Sequence, residues 1–361
     1  MPRVTLFLVG VIFGWGAAAR PSAGDRPRTS HLASRPSPQE DIRNVLGLLG
    51  AVRDVAPVVC GLTAEAASGW GGGRGWYDAP ATPLGTATAT RVAYFPRGAL
   101  RLSEIAMLID SLASPNACVR ELAVRLVGTV DAEIVEDRLI ERLNRGDSTT
   151  REAAALGLGL VRSKQSVGAL LRTARDADNG VRGNSVWALG RIGDARAAAT
   201  VRAALQDEES EVRVAAAGAV GHLEDADAVD ELLRVLRSDP APRVRRAAAW
   251  ALGQIRRREA IDGLVAALRT ERDEGTREMC VWALGSLEAS SAAPALADIL
   301  RRDSSADVRE AAAWALGEIE ASDAVGALGE AAGSDADDHV RGTAAWAIGQ
   351  IQPSEAPPGL I

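Results

Sequence analysis

"VREAAAWALGEI", residues 308–319, decides the architecture of this chain, because the same twelve-residue frame returns at a fixed interval. It reads "VRELAVRLVGTV" at 119–130, "TREAAALGLGLV" at 150–161, "VRGNSVWALGRI" at 181–192 and "VRVAAAGAVGHL" at 212–223. "VRRAAAWALGQI" (244–255), "TREMCVWALGSL" (276–287) and "VRGTAAWAIGQI" (340–351) complete a set of eight. The frame arginine falls at 120, 151, 182, 213, 245, 277, 309 and 341, a period of 31 for three steps and 32 for four. Such self-similarity means an array of stacked supersecondary units, each burying its apolar face against its neighbours.

Val308, Ala312, Ala315, Leu316 and Ile319 follow the i, i+4, i+7, i+8, i+11 spacing of one helical face. A shorter apolar pattern follows each frame, as in "DAVDELLRVL" (227–236) and "EAIDGLVAAL" (259–268). Ser304 with Asp307 and Ser334 with Asp337 read as S-x-x-D capping boxes, and Asp239-Pro240 as an N-cap with an N1 proline. Each unit is therefore a helical hairpin, with no strand signal. The tenth frame position is glycine in every copy, from Gly128 to Gly349. A mid-helix glycine costs about 1 kcal/mol relative to alanine. Its recurrence predicts a close approach of neighbouring helices that a Cβ would block.

The frame V-R-x-x-A-x-x-A-L-G-x-I, followed by D-x-x-A-x-x-x-L, resembles the short HEAT-like repeat named after the phycobilisome lyases. The resemblance covers roughly residues 100–352. It implies an all-α solenoid, a HEAT/armadillo-like superhelix of about eight 31–32-residue hairpins, with the V-R helices lining one surface. The family name is no evidence of lyase activity.

The flanks are read separately. Residues 1–19 have a basic start at Arg3, an apolar run from Val4 to Trp15, and Ala17 and Ala19, the arrangement of a cleavable signal peptide. Export to a periplasmic or extracellular space follows, with an uncleaved membrane anchor as the alternative. Residues 20–37 form a Pro/Ser-rich leader, expected to be disordered, and 38–68 a helical hairpin. Residues 69–97 are a Gly/Thr/Pro-rich linker, 98–352 the array and 353–361 a tail. The glycines of 69–97 lack the Gly-Lys-Ser/Thr and preceding strand of a phosphate loop.

Formal net charge is −7, and residues 1–36 contribute five arginines against one aspartate, so the remainder is more acidic still. Such a body repels a phosphate backbone, which excludes nucleic acid as a partner. Three cysteines, Cys60, Cys118 and Cys280, make no disulfide framework. Cys280 replaces a frame alanine and reads as a core thiol. Cys60 and Cys118 either pair or stay free, since nothing in the sequence brings them together.

The seventh frame position holds Trp187, Trp250, Trp282, Trp314 and Trp346, with Gly218 interrupting the series. On a helical wheel it lies about 140° from the centre of the apolar stripe. The tryptophans are therefore expected to be substantially exposed, paving a stripe along the array. Two readings compete: each indole seals the layer over small residues of the adjacent helix, or the row is a recognition surface. Polar groups flank it at Arg246, Glu278 and Glu310, four residues before, and at Gln254, Glu318 and Gln350, four residues after. Arg191, His222 and Ser286 occupy this last position in other copies. An apolar stripe with a mixed polar border suits a protein or peptide partner. The recurrent arginine, with Asp178, Glu209, Asp239, Asp303 and Asp335 in the preceding turns, is expected to build an inter-repeat ladder of charge-assisted hydrogen bonds.

Catalytic groups are scarce: His31 lies in the leader, His222 stands alone on a helix, and His339 is placed in a turn. No H-E-x-x-H, C-x-x-C or G-x-S-x-G occurs. Deoxyhypusine hydroxylase, an enzyme of similar architecture, carries His-Glu pairs just after the frame arginine. Here those positions read Glu121-Leu122, Glu152-Ala153, Gly183-Asn184 and Glu310-Ala311, so an iron site has no histidine ligands. The reading is of a non-catalytic scaffold without metal or cofactor. The alternatives are an enzyme or chromophore-binding member of the same repeat family, or a structural spacer.

Overall fold

The computed structural model describes residues 100–114 and 117–351. The signal, leader, N-terminal hairpin, linker and tail, and Cys60, lie outside the described residues, as does the side chain of Cys118.

Sixteen α-helices and no strands are present among the described residues. Eight carry the frame: α2 (Ala117–Val127), α4 (Ser148–Leu160), α6 (Asn179–Ile192), α8 (Ser210–Leu223), α10 (Pro242–Ile255), α12 (Glu274–Ser286), α14 (Ala306–Glu318) and α16 (Asp338–Ile351). Eight precede them: α1 (Leu102–Ser111), α3 (Ala132–Arg145), α5 (Val167–Thr173), α7 (Ala198–Ala203), α9 (Val229–Ser238), α11 (Ile261–Leu268), α13 (Ala293–Arg302) and α15 (Val325–Ser334). From α5 to α15 each preceding helix is entered through a single 3₁₀ turn. V-R helices pack side by side in one layer, and the preceding helices form the second. This is an all-α solenoid of stacked hairpins.

The apolar stripe read from the sequence is the core. Val308, Ala312, Ala315 and Leu316 are fully buried, and Ile319 nearly so. Small residues let the helices approach, and Leu232, Leu264 and Leu296 of the second layer fill the space between layers. Cys280 is buried and free, and burial pushes its thiol well above the ordinary range.

Several helix ends differ from the sequence reading. Ser305, not Ser304, caps α14 by accepting the Val308 N–H at 3.4 Å. Ser334 donates to the Glu330 carbonyl at the end of α15, and Asp337 alone accepts the N–H groups of His339 and Val340. His339 thus belongs to the first turn of α16 rather than to a turn between helices. The N1 proline of α10 is Pro242, after Ala241, because Asp239 is committed elsewhere. At the other end the chain leaves the helix through a left-handed residue: Arg162, Gly193, Glu224, Arg256, Glu288 and Glu320 all have positive φ. The N–H of the next residue then returns to a helix carbonyl, as from Ala289 to Leu284 at 3.1 Å and from Ala321 to Leu316 at 3.1 Å. This is the Schellman closure; Gly193, the one glycine among these positions, instead returns its own N–H to the Leu189 carbonyl at 3.1 Å.

Candidate partner-binding surface

The V-R surface rests on an arginine ladder. Arg277 donates from Nε and Nη2 to the two carboxylate oxygens of Asp303, both at 2.8 Å. The same fork joins Arg151 to Asp176, Arg182 to Asp207, Arg213 to Asp239, Arg245 to Glu271 and Arg309 to Asp335. Each acid lies in the turn that opens the next repeat. Its carboxylate also accepts the backbone N–H two residues on, as Asp303 does from Ser305 at 2.9 Å. The carbonyl of the acid accepts from the arginine of its own repeat, as Asp303 does from Arg309 at 3.0 Å, except beside Glu271, where Arg277 donates to the Arg272 carbonyl at 2.9 Å. Every rung therefore ties two repeats.

The ladder was legible, but three of its acids, Asp176, Asp207 and Glu271, were not named from the sequence. Asp176 and Asp207 accept the arginines, whereas Asp178 caps α6 and Glu209 precedes α8 without a side-chain capping bond. Asp239, Asp303 and Asp335 do participate, but as carboxylate partners of the preceding repeat's arginine. Arg309 holds the Asp335 carboxyl below the ordinary carboxylate range, with burial opposing it. For Asp303, burial pushes the carboxyl up, but Arg277 and the Ser305 N–H bring it below that range.

The tryptophans are not the exposed stripe that the helical wheel predicts. Trp187 and Trp250 are only 4% and 3% exposed, and Trp282, Trp314 and Trp346 are half-buried. Each indole lies over the frame glycine of the preceding repeat. A Cβ at Gly285 would stand 2.7 Å from Trp314 Cζ3, and one at Gly253 2.7 Å from Trp282 Cζ3. Gly159, Gly221 and Gly317 meet Trp187, Trp250 and Trp346 in the same way. Gly218 has no indole to offer, and there Gly190 faces the Ala219 Cα directly at 2.5 Å from its would-be Cβ. Close approach is thus the reason for the frame glycine.

The bordering residues are placed as follows. Arg246, Gln254, Glu278 and Glu310 are half-buried, and Glu318 and Gln350 exposed. Partial desolvation of the otherwise exposed Glu318 carboxyl and the charge of Glu288 raise its pKa, with the Trp314 indole opposing them. The Arg191 guanidinium stands 5.8 Å from the Trp187 ring, and His222 meets Trp250 edge-on at 5.1 Å. Sequence reasoning missed Asn184 and Ser185, polar residues buried on α6. Asn184 donates to the Glu152 carbonyl at 3.2 Å, and Ser185 shares a 2.7 Å hydrogen bond with Thr173. Their only sequence signal is departure from the frame alanines.

Among the described residues no group of three His, Cys, Asp or Glu side chains could hold a metal ion. No described helix is long and apolar enough to cross a membrane. A groove of about 640 Å³ between α9 and α11 is floored by Arg245 and Glu271, which are already ladder partners.

No curated protein matches this sequence. Among solved structures, YibA of Escherichia coli is similar over 69% of this chain and 92% of its own, at 19% identity and a TM-score of 0.55. The complex of CpcE and CpcF of phycocyanin lyase from Nostoc sp. is similar at 21% identity, over 69% of this chain and 93% of that one, with a TM-score of 0.41. Yeast importin-β shares 15% identity over 71% of this chain and 41% of its own, at 0.49. These likenesses concern the fold alone. A family model of HEAT repeats matches in overlapping windows, 105–182, 136–211, 169–250, 200–285, 229–317 and 293–361. Most of the chain is covered, and it belongs to the HEAT-repeat family.

Proposed function

We propose that this HEAT-repeat protein is a non-catalytic, exported scaffold that binds a protein or peptide on the V-R surface of α12, α14 and α16. The observation that carries this reading is the row of half-buried indoles Trp282, Trp314 and Trp346, bordered by Glu278, Glu310, Glu318 and Gln350. Sealing uses the Cζ3 edge of each indole and leaves the remainder partly open to water, so sealing and recognition coexist. Tryptophan rows with polar borders suit anchoring of a chain laid along them. Export is supported by the sequence of residues 1–19. The repeat type is that named after the phycobilisome lyases, on the strength of its V-R-x-x-A frame.

The test is affinity capture of the mature protein from its own cell envelope, repeated with Glu278→Gln/Glu310→Gln/Glu318→Gln. Loss of capture with an unfolding midpoint within about 0.5 kcal/mol of the parent supports the surface. Undiminished capture by this variant sinks it.

A further inference from the structure

Each frame tryptophan has a residue one turn before it and another one turn after it on the same helix face. Of the five, only Trp314 has a carboxylate in both places, Glu310 and Glu318, each about 6 Å away along the helix axis. Trp187 shows what the second of these places can do for an indole. Its residue there is Arg191, whose guanidinium stands 5.8 Å from the ring, a cation–π contact supplied from within the chain. At Trp314 the same place holds an acid, and among the described residues no arginine of the chain covers this ring.

Glu318 lies between two half-buried indoles, that of Trp314 on its own helix and that of Trp346, which lies over the adjacent Gly317. Neither Glu318 nor Glu288 has an ion-pair partner among the described residues, because Arg277 and Arg309 are forked to Asp303 and Asp335. Partial desolvation and the charge of Glu288 push the Glu318 carboxyl above its ordinary range, and a cation placed there would reverse that shift. Glu310 accepts one hydrogen bond on Oε1, from Thr343 at 3.2 Å, and its other oxygen is left for a further donor. We infer that Trp314, Glu310 and Glu318 form the seat of an arginine side chain of the protein or peptide bound on this surface. The guanidinium stacks on the indole and donates to Glu318, while Glu310 attracts the same charge from the other side of the ring. Arginine fits better than lysine, since a planar fork can stack on an aromatic face and pair with a carboxylate together. The inference rests on the partner surface proposed above and adds the chemistry of its occupant.

The probe is a capped Gly-Ser-Arg-Ser-Gly peptide, titrated into the full chain labelled with nitrogen-15 at tryptophan, with the indole N–H signals followed by NMR. Trp314→Phe identifies the Trp314 signal by its loss. A saturable shift of that signal is expected with the arginine peptide. Binding should weaken by at least about tenfold when citrulline replaces arginine, or when the protein carries Glu310→Gln/Glu318→Gln. Lysine in the same place should bind more weakly than arginine. The remaining indole signals report whether the double variant is folded, and if it is not, the citrulline peptide decides alone. An unmoved Trp314 signal would overturn the inference. So would equal binding of the citrulline or lysine peptide, or undiminished binding by the folded double variant. Capture from the cell envelope tests the surface and this titration tests the seat, so each can fail without the other.

Discussion

The indole of Trp314 closes over Gly285 of the preceding repeat, its Cζ3 standing 2.7 Å from where a methyl group would sit. The Ala315 Cβ follows at 3.1 Å from the same point. Two residues twenty-nine positions apart thus share one packing problem. The glycine gives up helix propensity so that the next helix can approach, and the tryptophan covers the seam.

Gly285→Val therefore overpacks a site between two backbones. It is expected to lower stability by about 1–3 kcal/mol beyond its propensity change, read as a fall in the denaturant midpoint. Gly349 offers the control, because a Cβ there meets nothing within 4 Å. Gly349→Ala is expected to stabilise α16 by up to about 1 kcal/mol. Equal and unfavourable effects at both positions would contradict the seam.

Trp314→Ala removes part of that cover. A buried tryptophan truncated to alanine costs about 3–5 kcal/mol, and a half-buried one is expected to cost less, about 2. Trp250→Ala, at a buried position, should cost more than Trp314→Ala under the same urea titration. The reverse order would show that burial does not rank these sites.

The ladder sets an acid limit. Folded-state pKa values of Asp176, Asp207, Glu271, Asp303 and Asp335 are lowered, so their contribution is complete above the ordinary carboxylate range. It is lost as pH falls through the lowered values. Stability measured by urea titration should therefore be flat near neutrality and drop below about pH 4. Arg277→Ala, which strands the Asp303 carboxylate, should cost about 3–5 kcal/mol at neutral pH. The cost should shrink in acid. An effect independent of pH would place its origin elsewhere.

The left-handed helix ends offer a gain. Glu288 has φ of +50° and Arg256 +53°, where an L side chain is strained by about 1–2 kcal/mol. Glu288→Gly and Arg256→Gly relieve that strain against a smaller entropic cost, about 0.4–1 kcal/mol, from the freer unfolded chain. A net stabilisation of about 0.5–1 kcal/mol each is expected from thermal unfolding. Destabilisation would mean that these side chains make contacts worth more than the strain.

By itself the sequence determined the hairpin, its period, the number of repeats and the buried stripe. The stripe follows from local helical geometry and is carried by any single copy such as Val308–Ile319, whereas the period and the number of repeats follow from the recurrence of the frame in register. It also marked the frame arginine, because a charge recurring beside an apolar stripe needs a partner. Only the tertiary structure decided which acid that partner is. Asp207 rather than Glu209 accepts Arg182 because the turn between repeats presents that carboxylate to the preceding repeat's arginine. The tryptophans were misread for a related reason. A helical wheel treats a helix as having one partner, whereas each internal V-R helix has a second-layer helix and two V-R neighbours. Position seven lies away from the first and against one of the others. Burial in a solenoid is a property of the stack, and no single hairpin contains it.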